Sequence, residues 1–272
     1  MRIACVQCGV VYGDPDANAL YVESKHREMA RNGAEMVVFP EACLTGYCVD
    51  SAEEARRIAI VGPPFGVFER LQRAVDETRA LMVVGFAESA EGRVSNSAAL
   101  LEPDTPPRVY RKTHLPDLGL DKHVEPGDAL PVFETRLGRV GILVCFDLRL
   151  PEPTRVLALE GADLVLLPTN WPEGAQVAAE HIAVARAAEN RVFVATCNRV
   201  GTENGFTFIG GSKIVGPTGA VLAAAGADEE TIVADIDLAE ARNKRSVVVP
   251  GLYETDVVAS RRPELYDRLI EA

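Results

Sequence analysis

Short apolar runs closed by proline or polar residues recur along the chain and alternate with amphipathic stretches. The first, at 2–8, predicts a strand. The next segment, at about 16–33, interleaves Ala17, Leu20, Tyr21 and Met29 with charges, as a helix with one buried face does. A strand at 36–40 follows, and the Gly62-Pro63-Pro64-Phe65 break opens a helix at about 65–79. Strands are predicted near 81–87, 96–102 and 108–112, and then comes a long polar connection, 113–130, whose length marks it as a functional loop. Beyond it come strands at 131–135 and 139–144, a helix behind Pro151, a strand at 163–168, a helix at about 174–189 and a strand at 191–197. Strands at 212–216, 220–224 and 230–236 and a short helix near 238–244 close the series. The stretch 245–272 is mixed, with a helix start at 261–266.

This alternation describes one α/β domain spanning 1–272, with no linker and no internal repeat. About a dozen strands are more than one twisted open sheet usually holds, so two stacked sheets with helices outside are expected.

Composition narrows the function. A net charge of −12 argues against nucleic acid and anionic membranes as partners, since both require a basic face. No run approaches the ~20 apolar residues of a membrane span. The start, Met1-Arg2-Ile3-Ala4-Cys5, is a strand rather than a signal peptide, so a cytoplasmic location is expected. Cysteines 5, 8, 43, 48, 145 and 197 are then read as reduced. Cys5 and Cys8, three apart on a strand, point to opposite faces and do not form half of a zinc site. No metal and no cofactor are expected.

Three runs end on residues with complementary chemistry. Met36-Val37-Val38-Phe39-Pro40 delivers Glu41, Val109-Tyr110-Arg111 delivers Lys112, and Val140-Gly141-Ile142-Leu143-Val144 delivers Cys145. A fourth, Leu164-Val165-Leu166-Leu167-Pro168, delivers Thr169-Asn170-Trp171. Ligands collect at the carboxyl ends of strands in open α/β sheets, so these groups are offered to one rim. A cysteine attacks as thiolate, and a neighbouring ammonium favours that form. A carboxylate can shuttle protons, and the ammonium with a backbone N–H can hold an oxyanion.

The surrounding residues sharpen this. Phe39-Pro40-Glu41-Ala42-Cys43-Leu44-Thr45-Gly46-Tyr47 resembles the first motif of the nitrilase superfamily of carbon–nitrogen hydrolases. Tyr110-Arg111-Lys112-Thr113-His114-Leu115-Pro116 is similar to its lysine motif, and Gly138 to Arg149, running on to Pro151-Glu152, to its nucleophile motif. Glu125-Pro126-Gly127-Asp128, Glu189-Asn190-Arg191 and Arg262-Pro263-Glu264-Leu265-Tyr266 fit as well. The resemblance implies a four-layer α-β-β-α sandwich that pairs into a homodimer or larger assembly, with 245–272 as a tail used in dimer contacts. It implies Cys145 as nucleophile, Glu41 as general acid/base, and Lys112 with the Phe146 amide as oxyanion donors. Tyr47, Phe146, Asn170 and Trp171 are expected to line the substrate pocket. The family often adds a second glutamate between the lysine and the Pro-Gly pair; here Asp121 is the nearest match, with a shorter reach.

True nitrilases typically carry Trp-Glu after the nucleophile. Phe146-Asp147 resembles instead the amidase and carbamoylase branches, so the expected reaction is hydrolysis of a small amide through a thioester. An N-carbamoyl substrate, and then a nitrile, are the alternatives. A papain-like reading would pair Cys145 with His181, which no local motif supports. Gly210-Gly211-Ser212-Lys213 lacks the spacing of a phosphate loop, which weakens a nucleotide-binding reading. A catalytically silent scaffold is the remaining rival, and the intact Glu-Lys-Cys set argues against it.

Overall fold

Period-two alternation places the strands. Along the first strand, Ile3 and Cys5 enter one buried cluster while Ala4 and Val6 enter another. Met36 and Val38 divide from Val37 and Phe39 in the same way, as do Leu81 and Val83 from Met82 and Val84. Both faces of this sheet are covered, which is why its strands read as unbroken apolar runs.

The computed structural model describes residues 1–270. β1 (Arg2–Gln7) leads through α1 (Pro15–Arg31) to β2 (Met36–Val38). α2 (Ala52–Ile58) and β3 (Ile60–Val61) precede α3 (Val67–Thr78). β4 (Leu81–Ala90), β5 (Arg93–Glu102) and β6 (Thr105–Arg111) form an antiparallel meander. β7 (Val132–Thr135) and β8 (Gly138–Ile142) are a hairpin, followed by α4 (Pro151–Leu159) and β9 (Leu164–Thr169). The next helix begins with π-helical backbone at Ala178–Ile182 and continues as α5 (Ala183–Asn190) into β10 (Phe193–Asn198). A second hairpin joins β11 (Val200–Glu203) to β12 (Phe206–Ile209). β13 (Lys213–Val215), β14 (Val221–Ala224), β15 (Glu230–Asp235) and α6 (Ala239–Arg242) follow. The last hairpin is β16 (Arg245–Val249) with β17 (Tyr253–Asp256).

One sheet runs β15-β1-β2-β4-β5-β6, with β3 on β4, and the other β14-β13-β10-β9-β8-β7. They face each other across a shared core, where the Cys197 thiol on β10 donates to the Val6 and Val38 carbonyls of the opposite sheet. α1 and α3 cover the first sheet and α4 and α5 the second. The result is the expected α-β-β-α sandwich. All six cysteines are free, and Cys5 and Cys8 do fall in different clusters. No described helix is long and apolar enough to cross a membrane.

Helix starts follow local chemistry. Asp14 caps α1 by accepting from the Ala17 N–H at 3.0 Å, with Pro15 at the first helical position. Ser51 caps α2 by accepting from the Glu54 N–H. That helix, the β11–β12 hairpin and the β16–β17 hairpin are additions to the expected elements.

His26 joins α1 to α3 on the outside of the first sheet. It is fully buried, its Nε2 lies 2.9 Å from the Thr78 hydroxyl, and its Nδ1 has no partner among the described residues. Burial, with Arg27 nearby, pushes its pKa down to about 4. The folded protein therefore takes up this proton later than the unfolded chain does. The contribution is complete above pH ~6.5 and is lost as pH falls towards 4, at about 1.4 kcal/mol per pH unit. His26→Gln is expected to show a flatter fall of Tm between pH 6.5 and 4 than the wild type; parallel curves would refute this.

Candidate active site

β8 ends at Ile142, and Leu143 and Val144 carry the chain into a tight 3-10 turn, Cys145–Arg149. Cys145 has φ +47°, a left-handed conformation that costs a non-glycine residue energy and persists where its surroundings impose it. Asp147 does much of the imposing. Its Oδ2 accepts from the Val144 N–H at 2.9 Å and the Tyr110 hydroxyl at 2.7 Å. Its Oδ1 accepts from the Thr113 hydroxyl and the His114 N–H, and lies 2.8 Å from His114 Nδ1. Burial works to raise this carboxyl's pKa, but His114, the Lys112 charge, the Val144 N–H and Tyr110 hold it below the usual range. The same contact raises the His114 pKa. A buried anion thus ties the cysteine turn to the segment that carries Lys112.

Glu41 sits on the loop leaving β2, which lies flat on β4. The Phe39 N–H donates to the Val83 carbonyl, the Gly85 N–H to that of Pro40, and the Leu44 N–H to that of Gly85. A Cβ at Gly85 would stand 2.6 Å from the Glu41 Cα, so only glycine permits this approach. Lys112, just past β6, is fixed by its N–H to the Asn96 carbonyl and its carbonyl to the Gly127 N–H, both at 2.8 Å.

These supports bring the side chains together. Lys112 Nζ donates to Glu41 Oε1 at 2.8 Å and to Asp121 Oδ2 at 2.5 Å. Asn96 Nδ2 spans the same two carboxylates, at 2.7 and 2.8 Å. All four residues are buried. Burial and then the Asp121 charge raise the Glu41 pKa, with Lys112 and Asn96 acting against them. Burial opposes the Lys112 charge, but Asp121 and Glu41 more than offset it and raise its pKa. Glu41 Oε2 has no partner among the described residues.

The Lys112 ammonium does favour the Cys145 thiolate, but other influences outweigh it. Burial, then the Glu41 charge, push the Cys145 pKa up to about 12, against Lys112, the Thr169 hydroxyl and the Asn170 N–H. A thiol raised in this way calls for a base to take its proton as it attacks.

Cys145 opens into a cavity of about 310 Å³ whose walls include Tyr47, Phe146, Asn170 and Trp171. Asn170 is 1% exposed, yet neither atom of its side-chain amide has a partner among the described residues. Trp171 is both wall and core, its N–H donating to Asn198 Oδ1 at 2.8 Å. The Tyr47 hydroxyl reaches Asp121 Oδ2 at 2.8 Å. Glu203, at the end of β11, accepts from the Tyr47 and Cys48 N–H groups at 2.8 and 2.7 Å and pairs with buried Arg199 at 2.9 Å.

Asn96, Asp147 and Glu203 are the site-building residues that the expectations passed over. Asn96 had a signal, a polar residue inside a run predicted to be buried. His181 lies exposed on its helix beside Glu180, away from the cavity that Cys145 lines. Gly210-Gly211-Ser212-Lys213 is a structural turn, with Lys213 Nζ bound to the Ala179 carbonyl. Among the described residues no group of three or more His, Cys, Asp or Glu is arranged to hold a metal.

A sandwich of this form, with cysteine, glutamate and lysine meeting beneath one cavity, defines a nitrilase-superfamily hydrolase. The chain belongs to the carbon-nitrogen hydrolase family, whose profile matches residues 2–246. It is 36% identical to a nitrilase of Pyrococcus abyssi over 98% of this chain and 100% of that one. It is 37% identical to an (R)-stereoselective amidase of Pseudomonas sp over 78% of this chain and 76% of the other. Its fold superposes on an amidase of Nesterenkonia sp. AN1 with a TM-score of 0.81 and 25% identity, over 99% of each chain. That structure, of a Glu-to-Gln mutant, shows the result of Michael addition of acrylamide at the active-site cysteine. The protein is a C–N hydrolase.

Proposed function

We propose that the protein hydrolyses a small primary amide through a thioester on Cys145. Glu41 takes the thiol proton as sulfur attacks the carbonyl carbon. Lys112 and the Phe146 N–H hold the oxygen that becomes negative. Glu41 returns the proton to the departing ammonia, then draws one from water as it attacks the thioester, and gives that proton to the Cys145 sulfur as the C–S bond breaks and the acid leaves. Asp121 keeps Lys112 charged and in place.

One observation carries this reading. A buried lysine ammonium bonds one oxygen of Glu41 and leaves the other uncommitted among the described residues, beneath a cavity that opens on Cys145. A thiol with a high pKa needs a base with a raised pKa, and Glu41 has one. The cysteine adduct of the Nesterenkonia amidase supports the same role for Cys145. Ammonia release from a panel of small aliphatic amides, with an acyl adduct of matching mass on Cys145, is the test. No release from any amide would overturn the reading.

We also propose that 245–270 makes contacts between copies. Among the described residues β16 and β17 pair only with each other, and Val247, Val248, Leu252 and Tyr253 are exposed. Sedimentation velocity should show a dimer or larger species, and a smaller one for Val248→Glu/Leu252→Glu; a monomeric wild type would refute it.

A further inference from the structure

We infer that the substrate carries both a carboxylate and an ammonium at the end remote from its amide, as an ω-amide of an α-amino acid does. Arg149 would receive the carboxylate and Glu173 the ammonium. The inference rests on the amidase reading and supplies the rest of the molecule.

Among the described residues only two charged side chains line the cavity above Cys145, and they are Arg149 and Glu173. Both residues are exposed, which places them at its mouth. Neither side chain has a hydrogen-bond or ion-pair partner among the described residues, although their charges are opposite and they share one opening. Nearby charges behave differently: Arg186 pairs with Glu189 at 2.9 Å.

The two are mounted on tethered backbone. Arg149 closes the turn that Cys145 opens, and the Leu148 and Arg149 carbonyls both accept from the Arg186 guanidinium at 3.1 Å. Glu173 follows Trp171 on the facing loop, with its N–H bound to the Thr207 carbonyl at 3.0 Å. Between mouth and sulfur the walls are the apolar surfaces of Leu118, Phe146 and Trp171, suited to methylene groups. Asn170, buried and unsatisfied, has its backbone N–H at the sulfur, where it suits the carboxamide rather than the charged end. A volume of about 310 Å³ is at the low end for ligand sites and matches a molecule of amino-acid size.

The charges decide the class. A neutral amide leaves both side chains to water, and a singly charged one meets one attraction and one repulsion in the same mouth. A zwitterion satisfies both, and a guanidinium takes a carboxylate through two parallel bonds.

The test uses one butanamide chain, bare or bearing an ammonium, a carboxylate or both at C4, as butanamide, 4-aminobutanamide, glutarate monoamide and glutamine, with asparagine as the shorter homologue. The kcat/KM for glutamine or asparagine is expected to exceed that for each of the other three by roughly tenfold, the scale of two rim ion pairs together. Arg149→Gln and Glu173→Gln should each cut the zwitterion-to-butanamide ratio by roughly threefold or more, chiefly through KM. Arg149→Gln should favour 4-aminobutanamide over glutarate monoamide, and Glu173→Gln the reverse. A wild type that prefers butanamide or a singly charged amide overturns the inference and leaves the amidase reading standing. So do ratios that neither variant changes. No ammonia from any member of the series overturns both.

Discussion

Cys145→Ala is expected to lose ~10⁴-fold or more in ammonia release while keeping the wild-type circular dichroism and Tm. The size of the loss follows from what remains. Glu41 and Lys112 would still be in place, but a water molecule in the vacated space would have to attack an unactivated amide in one step, without the covalent intermediate. The fold should survive because Asp147, through Val144, Tyr110, Thr113 and His114, holds the turn independently of the sulfur. Alanine accepts the same left-handed backbone at a cost similar to cysteine's, since both carry a Cβ. Glu41→Gln separates the two halves of the reaction. The amide cannot take the thiol proton, so acylation slows, and it cannot activate water, so whatever thioester forms persists and is visible by intact mass. Turnover within tenfold of wild type in Cys145→Ala would remove the cysteine from the mechanism.

The catalytic rim was legible because buried strands announce themselves. Val37 to Pro40, Val109 to Arg111 and Val140 to Val144 are apolar enough to be read as strands, and polar residues at their ends are placed by the topology alone. What was not legible belongs to tertiary structure. Asn96 looks like a poor strand residue until Glu41 and Asp121 are seen on either side of it. Glu203 reads as a solvated turn residue, yet the fold buries it against Arg199 beneath Tyr47. α2 carried its signature in Ser51 and Glu54, but seven residues with only Ala55 and Ile58 buried give too little periodicity to register. The β16–β17 hairpin had a signal in Val247-Val248-Val249 closed by Pro250, but the fold leaves these valines exposed instead of burying them as it does the other apolar runs. The raised thiol pKa was not legible for the same kind of reason. Proximity to Lys112 is a matter of sequence motif, whereas the burial and the Glu41 charge that outweigh it are set by the fold.

Lys112→Gln is expected to lower kcat by ~10²- to 10³-fold, the scale for removing an oxyanion donor, and to move the acid limb of the pH–rate profile upward. The sign follows from the charges. Lys112 lies between Glu41 at 2.8 Å and Asp121 at 2.5 Å, and its charge lowers the Glu41 pKa while that of Asp121 raises it. Removing the ammonium leaves two buried carboxylates with no cation, so Glu41 takes up its proton at a higher pH and is unavailable as a base over a wider range. Asp121→Asn should do the opposite. With one raising influence gone, the Glu41 pKa falls and the acid limb moves down, while kcat drops ~10²-fold because Lys112 loses one of its two anchors. Stability separates charge balance from chemistry. Lys112→Gln strands an unpaired buried charge, a loss of ~3–5 kcal/mol that should show in Tm. Lys112→Gln/Asp121→Asn returns the cluster to one net negative charge, so Tm should recover while kcat does not. Acid limbs that move in the same direction in the two single variants, or a Lys112→Gln enzyme with wild-type kcat, would show that the lysine does not stabilise the oxyanion and that the cluster is only structural.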